Sequence, residues 1–258
     1  MNDALPPFSF MRKICLYVRT SNANLKHFPP NVIKSIVIQQ TNPRHPRINA
    51  NGNLIRIDLF RGFESYWPVP CSKTTAKDGH WGKGPSISLV GVLTGWFHDI
   101  EFIAEDLGFP TPEVTQLLAD SRLPGMKVLE FAFDSRGTSS YLPHSYGKNC
   151  VCYTGTHDNA PLALWRTEAD REDVAFAAQY LGLNEREGFN RGIIRGGMGS
   201  VAKLFVAQMQ GWLDLGPGHR MNVHGTSCGN WKWRMLPGEA SHSLASSIHE
   251  MTRIYGRL

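Results

Sequence analysis

The chain has 258 residues, 41% of them hydrophobic and 19% charged, with a formal net charge of +5. That apolar share supports a substantial core and excludes wholesale disorder, and the length suits one large domain or two small ones, a (β/α)8 barrel among them. No apolar run reaches the roughly 18 residues of a membrane-crossing helix, and the N-terminus lacks the charged-then-apolar order of a secretory signal.

Residues 1–50 form a proline-dotted basic segment. In it Arg12, Lys13, Arg19, Lys26, Lys34, Arg44 and Arg47 meet only Asp3, whereas acids and bases nearly balance from Asn51 onward. A basic excess can mark a nucleic-acid partner, but no RRM, KH or zinc-finger pattern accompanies it, so none is expected. Residues 32–40 (VIKSIVIQQ) read as a strand or a short helix, and the segment stays unassigned.

From residue 51 strand and helix signals alternate. Residues 54–60 (LIRIDLF) read as a strand bounded by Asn51-Gly52-Asn53 and Arg61-Gly62. Residues 100–106 (IEFIAED) are a second, 126–134 (MKVLEFAFD) a third, and 150–158 (CVCYTGTHD) a fourth. Between the second and third, TPEVTQLLADS reads as a helix with Thr111 as N-cap and Pro112 at its first position. Residues 168–181 read as a further helix and 199–215 as a long apolar segment. Such alternation over residues 51–258 predicts an α/β protein with a parallel sheet. Cys150 and Cys152, two apart, share one sheet face. The five cysteines include no C-x-x-C pair and no metal-ligand spacing, as expected of reduced thiols in a cytoplasmic protein without a metal or cofactor.

Three of these strands end in an acid: Asp58, Glu105 and Asp158. In parallel α/β folds the C-terminal strand ends carry the site. Arg56 and Asp58, two apart, leave the same face of their strand, and a guanidinium holds a carboxylate ionised and oriented, as a nucleophile requires. A structural ion pair at a strand end has the same pattern. Glu105, projecting from an apolar run, is a candidate for the raised pKa of a general acid, with Asp106 as a supporting or capping acid. His157 precedes Asp158, but no G-x-S-x-G elbow exists to make a serine nucleophile of it, so it reads as a hydrogen-bonding group.

Taken together, RIDLFRGFESYWPVP, HWGKGP, FIAEDLGFPTPEV, LPGMKVLEFAFD, YLPHSYGKNCVCYTGTHDN and LDLGPGHRMNVHGTSCGNWKWRM resemble the 4-α-glucanotransferases. These are the amylomaltases, or disproportionating enzymes, of glycoside hydrolase family 77 in the α-amylase clan. The resemblance implies the C-terminal part, strands four to eight, of a (β/α)8 TIM barrel. It further implies retaining transfer of α-1,4-glucan segments between maltodextrins, with no cofactor. By the same resemblance Asp58 is the nucleophile, Glu105 the acid/base and Asp158 the stabiliser of the distorted transition state. Arg56 and His157 match sugar-binding and nucleophile-positioning residues. Transfer rather than hydrolysis needs aromatic platforms for the acceptor sugar, for which Trp67, Tyr66, Trp81 and Phe133 are the candidates, although aromatics at such spacing are more often core residues. The implied partner is a maltooligosaccharide or glucan, in the cytoplasm or, for a plant-type source, in a plastid.

Three departures from the family stand out. Relatives carry the first three barrel strands and large insertions before R-I-D, whereas residues 1–50 align with nothing there, as expected of an N-terminally truncated chain or of a piece that needs a partner. Leu59 stands where the family usually has His, and GPGHRMNVHG replaces an acidic, proline-containing stretch. An α-1,4-glucan hydrolase of the same clan, or a glycan-binding remnant without catalysis, are the alternative readings.

Overall fold

The computed structural model describes residues 54–72, 75–108 and 110–258. The basic segment 1–50 and residues 51–53 lie outside the described residues. The chain divides into two compact units between Met126 and Lys127.

In the first unit β1 (Leu54–Ile57) and β4 (Glu101–Ala104) pair in parallel, Leu54 opposite Glu101 and Ile57 opposite Ala104. All four residues of β1 are buried, which is how strands covered on both faces read in sequence. Between them run α1 (Arg61–Glu64), a two-stranded antiparallel ribbon of β2 (Ser65–Tyr66) and β3 (Gly82–Lys83), and α2 (Ser86–Trp96). Ile55, Ile57, Phe60, Phe63, Phe102 and Leu117 are among the residues of this unit's core. α3 (Pro112–Ser121) follows the expected pattern: Thr111 Oγ1 accepts from the Val114 N–H at 3.5 Å, and Pro112 opens the helix. It ends at Arg122, whose left-handed backbone turns the chain toward β5 (Gly125–Val128).

β5, which carries the chain into the second unit, is followed there by β6 (Cys150–Tyr153), α4 (Leu162–Glu168), α5 (Arg171–Leu181), α6 (Phe189–Met198), β7 (Leu204–Val206), α7 (Met209–Trp212) and α8 (His242–Ile254). The sheet order is β5-β6-β7, with Val151 opposite Leu204 and Tyr153 opposite Val206 in a parallel pair. Cys150 and Cys152 are both buried on β6. The guanidinium of Arg257 donates to the carbonyls of Met198, Ser200 and Ala202 at 2.7, 2.7 and 3.1 Å, pinning the chain after α8 to the α6–β7 connection. Among the described residues no helix is long and apolar enough to cross a membrane.

Three sequence expectations change in detail. The helix expected over 168–181 starts at Arg171, because Ala169 and Asp170 are extended, with ψ of 159° and 140°, and Glu168 ends the preceding helix α4. The apolar segment 199–215 resolves into β7 and the single turn α7. The strand expected to run to residue 134 stops at Val128, and a 3₁₀ turn over Leu129–Phe131 follows. Strand alternation therefore ends before Phe133, which turns inward. It is 2% exposed and lies within 6.0–6.4 Å, ring to ring, of Trp165, Tyr180 and Phe176. Phe133 is thus a core residue and not a sugar platform.

An aromatic ring so enclosed leaves a cavity when truncated. Phe133→Ala is expected to lower the unfolding free energy by about 3–5 kcal/mol, read from urea unfolding. A loss below about 1 kcal/mol, the range of ordinary surface substitutions, would contradict this packing.

Candidate active site

The parallel register of β1 and β4 puts Asp58 and Glu105 one residue beyond opposed strand ends, Ile57 and Ala104. Two backbone hydrogen bonds extend the ladder past those ends. The Glu105 N–H donates to the Ile57 carbonyl at 3.0 Å, and the Phe60 N–H donates to the Glu105 carbonyl at 3.1 Å. Neighbouring strands stand about 4.8 Å apart, so the two acids are delivered side by side.

Their surroundings differ. Arg56 Nη2 donates to Asp58 Oδ2 at 2.9 Å, which fixes the carboxylate's direction. The Arg56 side chain is 5% exposed and that of Asp58 32% exposed, so a buried cation orients an accessible anion. Arg56 Nη1 points to Met126 Sδ at 3.9 Å, and its Nε is buried with no acceptor. Glu105 is buried. One oxygen accepts from the Leu107 N–H at 3.1 Å, while Oε2 is sealed with no donor. Burial, then the negative charge of Asp58, push the Glu105 carboxyl up to about 7, against the weaker pull of the Leu107 N–H and Arg56. Asp106 faces elsewhere: its Oδ1 accepts from the Met126 N–H at 2.6 Å, tying the end of β4 to the start of β5. Gly125 makes that close approach possible, since a Cβ there would lie 2.8 Å from Asp106 Oδ2.

The second unit builds a separate constellation around Asp158. After β6 the chain turns through 154–159, where Asn159 Oδ1 accepts from the Thr156 N–H at 2.8 Å and from its hydroxyl at 2.7 Å. The Asp158 N–H donates to Thr156 Oγ1 at 3.2 Å. Asn222 Nδ2 donates to Asp158 Oδ1 at 2.5 Å, and His157 Nε2 lies 3.2 Å from Oδ2. His224 Nε2 is 3.6 Å from the same oxygen, and Arg220 Nη2 donates to the Asp158 carbonyl at 2.9 Å. The His157 ring rests on Trp231, 4.9 Å between centroids. Asp158 is thereby oriented from several sides while its side chain stays 30% exposed.

The structure therefore pairs Arg56 with Asp58, places Glu105 on the adjacent strand, and pairs His157 with Asp158. Trp67 is 42% exposed and packs edge-on against the more exposed Trp81 at 5.2 Å; its indole N–H donates to the Ala76 carbonyl at 2.7 Å. The Arg61 guanidinium lies over the Trp81 ring at 5.0 Å. Sequence reasoning missed Asn222, Arg220 and Trp231. Their signal was the R-M-N triplet and a tryptophan inside a Gly-rich stretch, neither of which has a local periodicity.

Comparison with known proteins gives the family of the chain. The pattern of the family described as 4-alpha-glucanotransferase matches residues 47–239, and the chain belongs to that family. Among its relatives, the 4-alpha-glucanotransferase of Clostridium butyricum is 44% identical over 80% of this chain and 42% of its own length. That of Thermus thermophilus is 43% identical over 80% and 43%, and the chloroplastic/amyloplastic protein of Solanum tuberosum 39% over 79% and 36%. The structure of an amylomaltase from Streptococcus agalactiae in complex with acarbose superposes with a TM-score of 0.75 at 34% identity, covering 81% of this chain and 42% of that one. The fold is the mixed α/β fold of that enzyme. The chain spans about two fifths of the length of these relatives.

The Glu105 shift has a sign that stability measurements can read. The folded protein keeps this proton to about pH 7 whereas an ordinary glutamate releases it near 4.5, so the stabilisation is fully present below pH 4.5 and lost by about pH 7. At about 1.4 kcal/mol per pH unit the loss is roughly 3 kcal/mol. Glu105→Gln is expected to flatten the fall in melting temperature between pH 4.5 and 7; an unchanged slope in that variant would contradict the assignment.

Proposed function

We propose that this chain carries the catalytic acids of a 4-α-glucanotransferase acting on α-1,4-linked maltodextrins by retaining double displacement. The observation that carries the reading is the side-by-side delivery of an Arg-oriented Asp58 and a buried, proton-holding Glu105 on adjacent parallel strands. A retaining mechanism needs two carboxyl groups about 5–5.5 Å apart, close to the spacing of neighbouring strands. Family membership supports the same chemistry.

Asp58 attacks the anomeric carbon and forms a covalent glycosyl ester, while Glu105 delivers its proton to the departing glucan oxygen. Glu105, now ionised, takes the proton of an acceptor sugar's 4-hydroxyl, which attacks the ester, releases Asp58 and restores the α configuration. A carboxyl poised near pH 7 suits both halves of this cycle. Arg56 keeps Asp58 aimed. Asp158, held by Asn222 and His157, binds sugar hydroxyls more tightly as positive charge develops at the ring, and Trp67 offers a face on which a glucose ring stacks. β1, β4, β5, β6 and β7 correspond in this reading to strands four to eight of a (β/α)8 barrel.

Incubation of the purified chain with maltotriose tests the proposal. The expected products are glucose and longer maltooligosaccharides, lost in Asp58→Asn and reduced about 10²–10⁴-fold in Glu105→Gln. Unchanged maltotriose overturns the activity for this chain, and reducing ends without longer products would instead mark a hydrolase.

A further inference from the structure

Within the second unit the sheet order β5-β6-β7 places the segment after β6, which bears Asp158, between those that follow β5 and β7. Each flank contributes a side chain that the chemistry above does not use. On the β5 side the Glu130 N–H donates to the Thr154 carbonyl at 3.2 Å, and its carboxyl lies under Gly155, where a Cβ would stand 2.7 Å from Oε1. On the β7 side the Gln208 N–H donates to Thr154 Oγ1 at 3.3 Å, and Gln208 Nε2 donates to the Thr156 carbonyl at 2.6 Å. The Thr154 N–H, in turn, donates to the Val206 carbonyl at 3.1 Å.

Both flanking side chains carry a buried oxygen without a donor, Glu130 Oε1 and Gln208 Oε1. An unpartnered buried acceptor is destabilising, and an apolar side chain of similar shape would avoid that cost. Burial pushes the Glu130 carboxyl well above the usual carboxylate range, against the opposing pull of Arg220 and with a small addition from Glu168. Its neutral form is therefore favoured, which disfavours a second anion beneath the loop. Two costly polar groups, one on each side of the same loop, mark a place where geometry outweighs stability.

We infer that Glu130 and Gln208 are positioning residues that clamp the 154–159 loop from its two sides and so fix where Asp158 stands. Glu130 acts as a neutral wedge beneath Gly155, and Gln208 as a tether on the Thr156 carbonyl. The inference rests on the proposed role of Asp158, but the clamp itself is a property of the loop and is measurable without turnover.

Amide hydrogen exchange of the full chain tests it. Glu130→Ala and Gln208→Ala are expected to speed exchange at Thr156, Asp158 and Asn159 about tenfold while leaving Val151 and Cys152 in β6 unchanged, and Glu130→Gln is expected to retain the parent rates. Unchanged loop exchange in both alanine variants overturns the clamp. So does an equal acceleration in β6, or a failure of Glu130→Gln to preserve the parent rates. If Glu130→Ala does not fold, Gln208→Ala decides. In a chain that redistributes maltotriose, both alanine variants lower kcat with KM unchanged, and an unaltered kcat contradicts positioning. A parent chain inactive on maltotriose overturns the proposed function instead, and the exchange rates still decide the clamp.

Discussion

The chemistry of the first unit depends on one buried oxygen. Glu105 Oε2 is sealed from water and receives no hydrogen bond, while Asp58 on the next strand carries its charge under the guanidinium of Arg56. A carboxylate in that position gives up its hydration without compensation and faces a like charge, so it keeps its proton to about pH 7. Two carboxyl groups on adjacent strands thereby meet opposite surroundings. The backbone sets their spacing, and burial together with the charge of Asp58 holds the proton on Glu105.

The rest of the first unit maintains that difference. β1 is buried on both faces, which keeps Arg56 dry and leaves Asp58 as its carboxylate partner. Asp106 and Gly125 close the end of β4 against the start of β5, so Glu105 sits at a fixed strand end and not on a loose loop. The second unit follows a different principle. Asp158 is accessible: Asn222 donates to its carboxylate, Arg220 to its backbone carbonyl, and the His157 ring nitrogen stands 3.2 Å from its other oxygen. That suits the hydroxyl-binding role proposed for Asp158.

The acids were legible in the sequence because their signals are local. Arg56 and Asp58 are two apart on a strand, and Glu105 and Asp158 each close a short β-rich run. The helix capped by Thr111 was legible for the same reason. What escaped was carried by distant contacts: Asn222 reaches Asp158 across 64 positions, and Gln208 reaches Thr156 across 52. No periodicity encodes such pairs. For Phe133 the sequence left a sugar platform and a core position both open, and burial decides for the core. The break at Ala169 and Asp170 was hidden because both residues sit between two stretches of helix-forming sequence.

The most direct test of this account is the titration of Glu105 itself, followed by the carboxyl carbon resonance of 13C-labelled glutamate and assigned by its loss in Glu105→Gln. The account predicts a midpoint of about 7, falling toward the ordinary value when Asp58→Asn removes the neighbouring charge. A midpoint near 4.5 in the parent protein would contradict it.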